Sequence, residues 1–383
     1  MDFRETEDHS ALRKAVGDIA DQFGSDYYVT HAESRTPTTE LWKRLGELGY
    51  LGINLPEEYG GGGAGMTELT IVCEETAAHG NPLLLLLVSA AISGEVIAEF
   101  GSDAQRSRWL PSLADGSSKV VFAITEPDAG SNSHRISTTA VKDGDGYLIS
   151  GQKYYISGVD EAEAILVVTK TGTDSAGRAK MSLFVVDADA PGLTRQHLPV
   201  SVTLPEKQFT LYFDNVRVGN DRLIGTEGDG FKQIFQGLNP ERITGAAICV
   251  GIGRFALERA AAYANNRTVW GASIGTHQGV SHALAKSKIE IELAALMTMK
   301  AAWLHDQGEP AGEASNMAKY AAAEAAIGAI DAAIQVHGGN GLSTEMGLLP
   351  YWGLARLLRI APVSREMILN HVAQHSLGLP RSY

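Results

Sequence analysis

The chain reads as an α+β protein of three domains, helical at both ends and β in the middle, and three observations predict this. Apolar residues recur at spacings of three and four through residues 10–50 and again over 67–113. Short β-branched runs with alternation then fill the interval from Val120 to about Ile224. After Gly230 the helical spacing resumes in stretches long and Ala-rich enough for a bundle of antiparallel helices. The predicted division is an N-terminal α-helical domain over 1–118, a middle antiparallel, β-barrel-like domain over 119–228, and a C-terminal four-helix-bundle domain over 229–383. A length of 383 residues by itself predicts two or three domains.

Taken in order, Leu12, Val16, Ile19 and Phe23 mark a first helix, and Leu41, Leu45 and Leu48 a second that Gly49 stops. The glycine-rich stretch 55–63 reads as a turn between helices, because a phosphate cradle would need a preceding strand and a following Gly-Lys-Ser/Thr. Asn81-Pro82 predicts a helix break, and Pro111 lies near the end of the last helix of this domain. Strands are predicted at 147–150, 165–168, 182–186 and 209–213, with Asp143-Gly144-Asp145-Gly146 as a hairpin turn. The bundle helices are predicted at 246–265, 282–305 and 314–336. They are apolar around much of their circumference, which predicts contact with another subunit.

A formal net charge of -13 opposes association with nucleic acid or anionic membrane surfaces. Cys73 and Cys249 stand alone in apolar stretches, without metal-ligand or redox spacing, and predict reduced core thiols. Residues 1–10 lack the layout of a signal or transit peptide, and the longest apolar run, 83–92, is far short of the roughly 20 residues needed to cross a bilayer. The expectation is a cytoplasmic protein with no membrane insertion and no nucleic-acid partner.

Two linked segments carry the chemistry. Phe122-Ala123-Ile124-Thr125-Glu126-Pro127-Asp128-Ala129-Gly130-Ser131 and Gly151-Gln152-Lys153-Tyr154-Tyr155-Ile156-Ser157-Gly158 both look like apolar strand ends entering turns. They place two hydroxyls, Thr125 and Ser157, and the ring of Tyr155 where a flat polar ring can lie; the alternative is that the hydroxyls satisfy strand-end backbone groups. The pair resembles the flavin-binding signature of the acyl-CoA dehydrogenases. Arg267-Thr268-Val269-Trp270-Gly271 with His277-Gln278, and Gln335-Val336-His337-Gly338-Gly339-Asn340-Gly341, follow in that family's order and spacing, so the resemblance covers nearly the whole chain.

The resemblance implies the acyl-CoA dehydrogenase fold and FAD as cofactor. No GxGxxG fingerprint in a βαβ setting is present, so FAD is implied by the resemblance alone. Phe122, Ile124, Thr125, Gly130, Ser131, Tyr155, Ile156 and Ser157 would border the flavin ring and ribityl chain, with Thr125 and Ser157 donating to the electron-poor edge of the ring. Tyr155 stands where tryptophan is usual, and Ser157 where threonine is common. Arg267, Val269, Trp270 and Gln278 would hold the pyrophosphate and adenosine, partly across a subunit interface; a lone arginine at a helix end is otherwise a solvated cap. Gln335, Val336, Gly338 and Gly339 would bring backbone amides close to the cofactor, with His337 as a structural donor, and Ser364 and Glu366 match positions near the adenosine.

Oxidation of an acyl thioester needs a base for the α proton, an acceptor for the β hydride and donors for the thioester oxygen. The family's usual base is a glutamate followed by Gly-Thr near the C-terminus, but Pro362, or Ala361 after a one-residue slip, stands there. Isovaleryl-CoA and long-chain dehydrogenases carry the base instead near the start of the helix after Gly-Asp-Gly-Phe-Lys. Here Gly228-Asp229-Gly230-Phe231-Lys232 leads to Glu241 at the relocated position. The competing reading of Glu241 is an acid favoured in the first turn of a helix. Asn239 and Arg242 would contact the CoA portion and Ser131 the thioester region. The implied activity is FAD-dependent formation of a 2,3-enoyl-CoA in fatty acid or other lipid metabolism, with electrons passing to an electron-transfer flavoprotein and the protein a tetramer built as two dimers. A flavin oxidase or monooxygenase on the same scaffold, or a non-catalytic acyl- or flavin-binding subunit, are the alternatives.

Overall fold

A computed structural model of the chain describes residues 4–175 and 178–381. The N-terminal helices are α1 (Glu7–Ser34), α2 (Thr39–Glu47), α3 (Met66–Ala78), a π-helix (Leu86–Gly94) that runs into α4 (Glu95–Phe100), and α5 (Asp103–Ala114). Thr6 caps α1 by accepting from the His9 amide at 3.1 Å. Gly24, at φ 71, kinks α1, and the buried Asn81 amide donates to Gly24 O at 3.1 Å, so the predicted break after α3 also fixes this bend.

Eight strands follow: β1 (Val120–Ala123), β2 (Thr139–Asp143), β3 (Gly146–Ser157), β4 (Ala164–Thr173), β5 (Ala179–Asp187), β6 (Leu193–Leu198), β7 (Gln208–Gly219) and β8 (Leu223–Ile224). They form one curved sheet in the order β6-β7-β3-β2-β4-β5-β8, with β1 added on β4. The β2–β3 register closes at Asp143↔Gly146, with Gly144 at φ 58, as the hairpin motif predicts. The sheet is mixed where a purely antiparallel one was expected. β1 pairs β4 in parallel from Val120↔Ala164, and β2 meets β4 in parallel at Thr139↔Lys170. The reason is that residues 124–138, between β1 and β2, form a loop instead of a tight hairpin.

The C-terminal helices are α6 (Gly230–Asn266), α7 (Gln278–Asp306), α8 (Gly312–His337), α9 (Leu349–Ile360) and α10 (Arg365–His371). α6 is 37 residues long and passes through Pro240, well beyond the predicted 246–265. A proline in a helix interior removes a hydrogen bond and costs about 3 kcal/mol, yet tertiary packing holds this one. Glu241 accordingly lies well inside α6 and not in its first turn. α8 packs through Ala318, Ala322, Ala326, Ala329 and Ala333, all fully buried, which lets neighbouring backbones approach closely.

α3 and α6 touch almost backbone to backbone, since a Cβ on Gly251 would sit 2.3 Å from Glu74 O. Beside that contact, Arg13 of α1 and Arg254 of α6 both reach Glu75 of α3 at 2.5 Å, and Arg254 also reaches Glu74 at 2.5 Å. Three helices are thus joined by buried charge. Cys73 and Cys249 are free, buried thiols. No helix among the described residues is long and apolar enough to cross a membrane.

Gly251→Ala should destabilise the protein by about 1–3 kcal/mol through overpacking, whereas Gly328→Ala, in open helix surface on α8, should be neutral or slightly stabilising. Urea unfolding of the two variants in parallel separates them.

Candidate active site

The loop after β1 is held from beneath by a buried ion pair. Glu126, 3% exposed, takes Lys153 Nζ at 2.9 Å, the Ser137 and Thr138 amides at 2.6 and 3.0 Å, and the Ser137 hydroxyl at 2.7 Å. Burial alone would raise its pKa, but Lys153 and these donors hold the carboxyl down at about 2. Lys153 also donates to Ile124 O at 3.0 Å, and the Tyr154 amide to Thr125 O at 2.8 Å. Glu126 and Lys153 therefore lock the two flavin-like segments together. Phe122, Ile124 and Thr125 are half-buried, while Gly130 and Ser131 are exposed, with open space where a Cβ on Gly130 would lie.

The β3–β7 register slips between Lys153 and Ile156. Tyr155 sits in that slip with φ 58 and is 54% exposed, its ring edge-on to Tyr154 at 4.4 Å. A left-handed tyrosine costs roughly 1–2 kcal/mol, and strain of this kind gathers at binding sites. Ile156 is buried beside it. The Ser157 hydroxyl donates to Gln208 Oε1 at 3.0 Å, and the buried Gln208 Nε2 has no partner among the described residues. Gln208 escaped the sequence reading, since only the register Ser157↔Gln208 reveals it.

A second group gathers where α6 meets α7. Arg267 is the exposed C-cap of α6. β9 (Thr268–Val269) and β10 (Ala272–Ser273) then form a tight hairpin whose tip is Trp270, at φ 51 and 92% exposed. Gln278 is the first residue of α7. Val269, Trp270, Ile274, His277, Gln335 and Val336 line a cavity of about 400 Å³, so the two distal motifs meet in space. His337 is buried and donates through Nδ1 to Ala333 O at 2.8 Å, with its ring against Tyr263. Gly338, at φ 59, and Gly339 are exposed with open space around them. Ser364 caps α10 by accepting from the Met367 amide at 3.3 Å, and Glu366 is exposed in its first turn. Among the described residues no hydrogen bond or ring contact joins this group to the β-domain group.

The third element is α6 itself. A Cβ on Gly237 would lie 2.7 Å from Val96 Cγ2, and one on Gly245 3.2 Å from Leu87 Cδ1, so at both places α6 lies flush against the π-helix and α4. Glu241 falls between them on the same face, since residues four apart align along a helix. Its side chain is buried and Oε2 has no partner among the described residues. Burial pushes the carboxyl up to about 8, with Arg242 and Lys319 pulling the other way. Arg242 Nη1 donates to Asn239 Oδ1 at 3.0 Å while its buried Nε is unpartnered, so Asn239, Glu241 and Arg242 form one cluster. Among the described residues no hydrogen bond joins Ser131 to this cluster.

Profiles of the acyl-CoA dehydrogenase N-terminal, middle and C-terminal domains match residues 6–117, 121–216 and 228–377. The chain belongs to the acyl-CoA dehydrogenase family. It is 55% identical to the acyl-CoA dehydrogenase FadE12 of Mycobacterium tuberculosis over 383 residues, covering 100% of this chain and 99% of that one. Among solved structures, the glutaryl-CoA complex of glutaryl-CoA dehydrogenase is similar at 30% identity with TM-score 0.93, covering 100% of this chain and 98% of the other. PigA with FAD and proline is similar at 25% identity with TM-score 0.92, over 99% and 100% of the two chains. Membership accounts for the three-domain order and makes the chain an enzyme of this oxidoreductase family.

Glu126→Gln should cost about 3–5 kcal/mol, because it leaves Lys153 buried without a counter-charge. Urea unfolding measures the loss, and the same variant should purify with less bound flavin, read from visible absorbance.

Proposed function

We propose that the chain is an FAD-dependent dehydrogenase that converts an acyl-CoA to the 2,3-enoyl-CoA with Glu241 as base. The observation carrying this reading is a buried carboxyl with an oxygen left partnerless on α6, in a chain whose tail offers only Ala361 and Pro362 at the family's usual position. The residues present fit FAD: two exposed aromatics held at positive φ, Tyr155 and Trp270, open space over Gly130, Gly338 and Gly339, and an orphaned amide behind Ser157. Thr125 and Ser157 would hold the flavin ring, and Arg267, Trp270, Gln278 and Gln335 the pyrophosphate and adenosine. When bound, FAD supplies the acceptor for the β hydride.

Glu241 takes the α proton. A carboxylate in water is a weak base, and the dry seam between α6 and the π-helix raises its basicity toward that needed near neutral pH. The same seam keeps water from the carbanion-like centre that forms as the proton leaves. Arg242, held by Asn239, would meet the CoA portion. Electrons would leave to an electron-transfer flavoprotein.

Ile289, Leu293, Leu296 and Trp303 form a stripe along α7, each more than half exposed. With Trp270 and the 400 Å³ cavity at the N-terminal end of the same helix, the stripe fits a second copy of the chain that completes the adenosine site, within a tetramer of two dimers.

Anaerobic mixing with a panel of saturated acyl-CoAs should bleach the flavin of the wild type, and Glu241→Gln should slow bleaching at least 10³-fold, on the order expected when the proton acceptor is removed. Equal rates would exclude Glu241, and oxygen uptake on reoxidation would mark an oxidase. Only ionised Glu241 can act, so kcat/KM should rise about tenfold per pH unit below about 8 and level above it. Leu293→Glu should shift the oligomer to a smaller species in light scattering, with loss of bound FAD.

A further inference from the structure

Ser157 has one proton to give, and in this structure it is already spent. The residue ends β3 and pairs with Gln208 at the start of β7. The Gln208 side chain is 5% exposed, and its Oε1 accepts the Ser157 hydroxyl at 3.0 Å. Its Nε2 has no partner among the described residues. Both halves of this arrangement are unfavourable to a binding site. A buried amide nitrogen left unpaired is costly, and a hydroxyl that donates into the sheet behind it has no proton left for a ligand.

Neither residue can relieve this by shifting its backbone. Tyr155, two residues before Ser157, is held at φ 58, and Gly158, the next residue, at φ 69. The Gly158 amide donates to Lys207 O at 2.9 Å, and a Cβ on Gly158 would lie 2.6 Å from Leu85 Cδ2. Gln208 also pairs with Leu198 of β6, so its backbone is held between two strands. Ser157 is half-buried, whereas Gln208 is buried behind it with Nε2 shut off from solvent. Gln208 therefore meets a ligand only through Ser157.

A side-chain amide has nearly the same shape either way round, so a half-turn about its last bond exchanges Nε2 and Oε1 without displacing neighbours. After the turn Nε2 donates to Ser157 Oγ. The atom then left without a partner is a carbonyl oxygen, which proteins tolerate better than an orphaned N–H. The serine proton is released from the sheet.

We propose that Gln208 is a positioning residue that decides where the Ser157 proton goes: with the flavin bound its amide turns over, donates to Ser157 Oγ and commits the hydroxyl to the cofactor. This rests on the reading of Ser157 as a flavin donor.

Reconstitution of the apoprotein with FAD tests this, using wild type, Gln208→Glu, Gln208→Met, Ser157→Ala and the Gln208→Glu/Ser157→Ala double variant. The readouts are the FAD dissociation constant and the midpoint potential of the bound flavin, both at pH 9 so that the introduced carboxyl is ionised. A carboxylate has the shape of the amide but only accepts, so Gln208→Glu keeps the Ser157 proton in the sheet. It should weaken FAD binding about tenfold, as Ser157→Ala does, which is the order of one hydrogen bond lost. The potential should become more negative in both, because a donor at the electron-poor edge of the ring favours its reduced form. Gln208→Met leaves the hydroxyl free to rotate and should bind FAD within about threefold of wild type, less than one hydrogen bond. In the Ser157→Ala background, Gln208→Glu should add little to either readout. Gln208→Glu at wild-type values, or with the same effect whether or not Ser157 is present, overturns the proposal. So does about a tenfold loss in Gln208→Met, since the amide would then be needed for itself; this comparison stands even if a buried charge keeps Gln208→Glu from folding. If Ser157→Ala moves neither readout, it is the reading of Ser157 as a flavin donor that falls, and the role of Gln208 with it.

Discussion

The constraint on which the site depends is the burial of one carboxyl in a seam between two helices. Burial disfavours the charged form of Glu241 strongly enough to move its pKa from the usual 4.5 up to about 8, against the pull of Arg242 and Lys319. Gly237 and Gly245 bring α6 flush against the π-helix, and the alanine face of α8 closes α6 from the other side. Any looser contact would admit water and restore an ordinary, weakly basic carboxylate.

The π-helix belongs to the same logic. Its segment Leu86–Gly94 is buried almost throughout, and a widened helix is commonly found at functional sites, because its wider turns displace side chains from α-helical positions. Here it presents Leu87 and Ile92 to α6 on either side of the carboxyl's level. The β domain meets the opposite requirement. It must hold exposed polar groups rigid, and it does so with Glu126 and Lys153, an ion pair whose carboxylate also accepts from Ser137 and Thr138. Glu241 keeps one oxygen without a partner among the described residues, whereas Glu126 accepts from Lys153, the Ser137 and Thr138 amides and the Ser137 hydroxyl.

Elements that depend on local pattern were legible in the chain: the domain order, the Gly144 hairpin, the break after α3 and the extents of α7 and α8. What was not legible depends on partners distant in sequence. Nothing near Pro240 announces that α6 continues through it, because the compensation comes from Val96 and Leu87. The parallel β1–β4 pairing needs the loop between β1 and β2, whose anchor, Lys153, lies on β3. Gln208 and Lys319 carry no motif, since a single polar residue in a strand start or an alanine helix looks the same whether it faces solvent or a site. The motifs named candidate site residues; packing alone shows which of them share a cluster.

With Glu241 of α6 as the proposed base, the tail has a different task. A base carried by a connecting turn needs that turn to be both positioned and ionisable. Here the turn between α9 and α10 contributes no acid, and its own carbonyls are instead bound to Lys319. The turn becomes a wall, and the carboxyl sits in the interior of a 37-residue helix, where its backbone cannot shift without moving the bundle. Rigid placement favours proton transfer over a fixed short distance. The buried cations that pull against burial on Glu241 are Arg242, the next residue of α6, and Lys319 of α8.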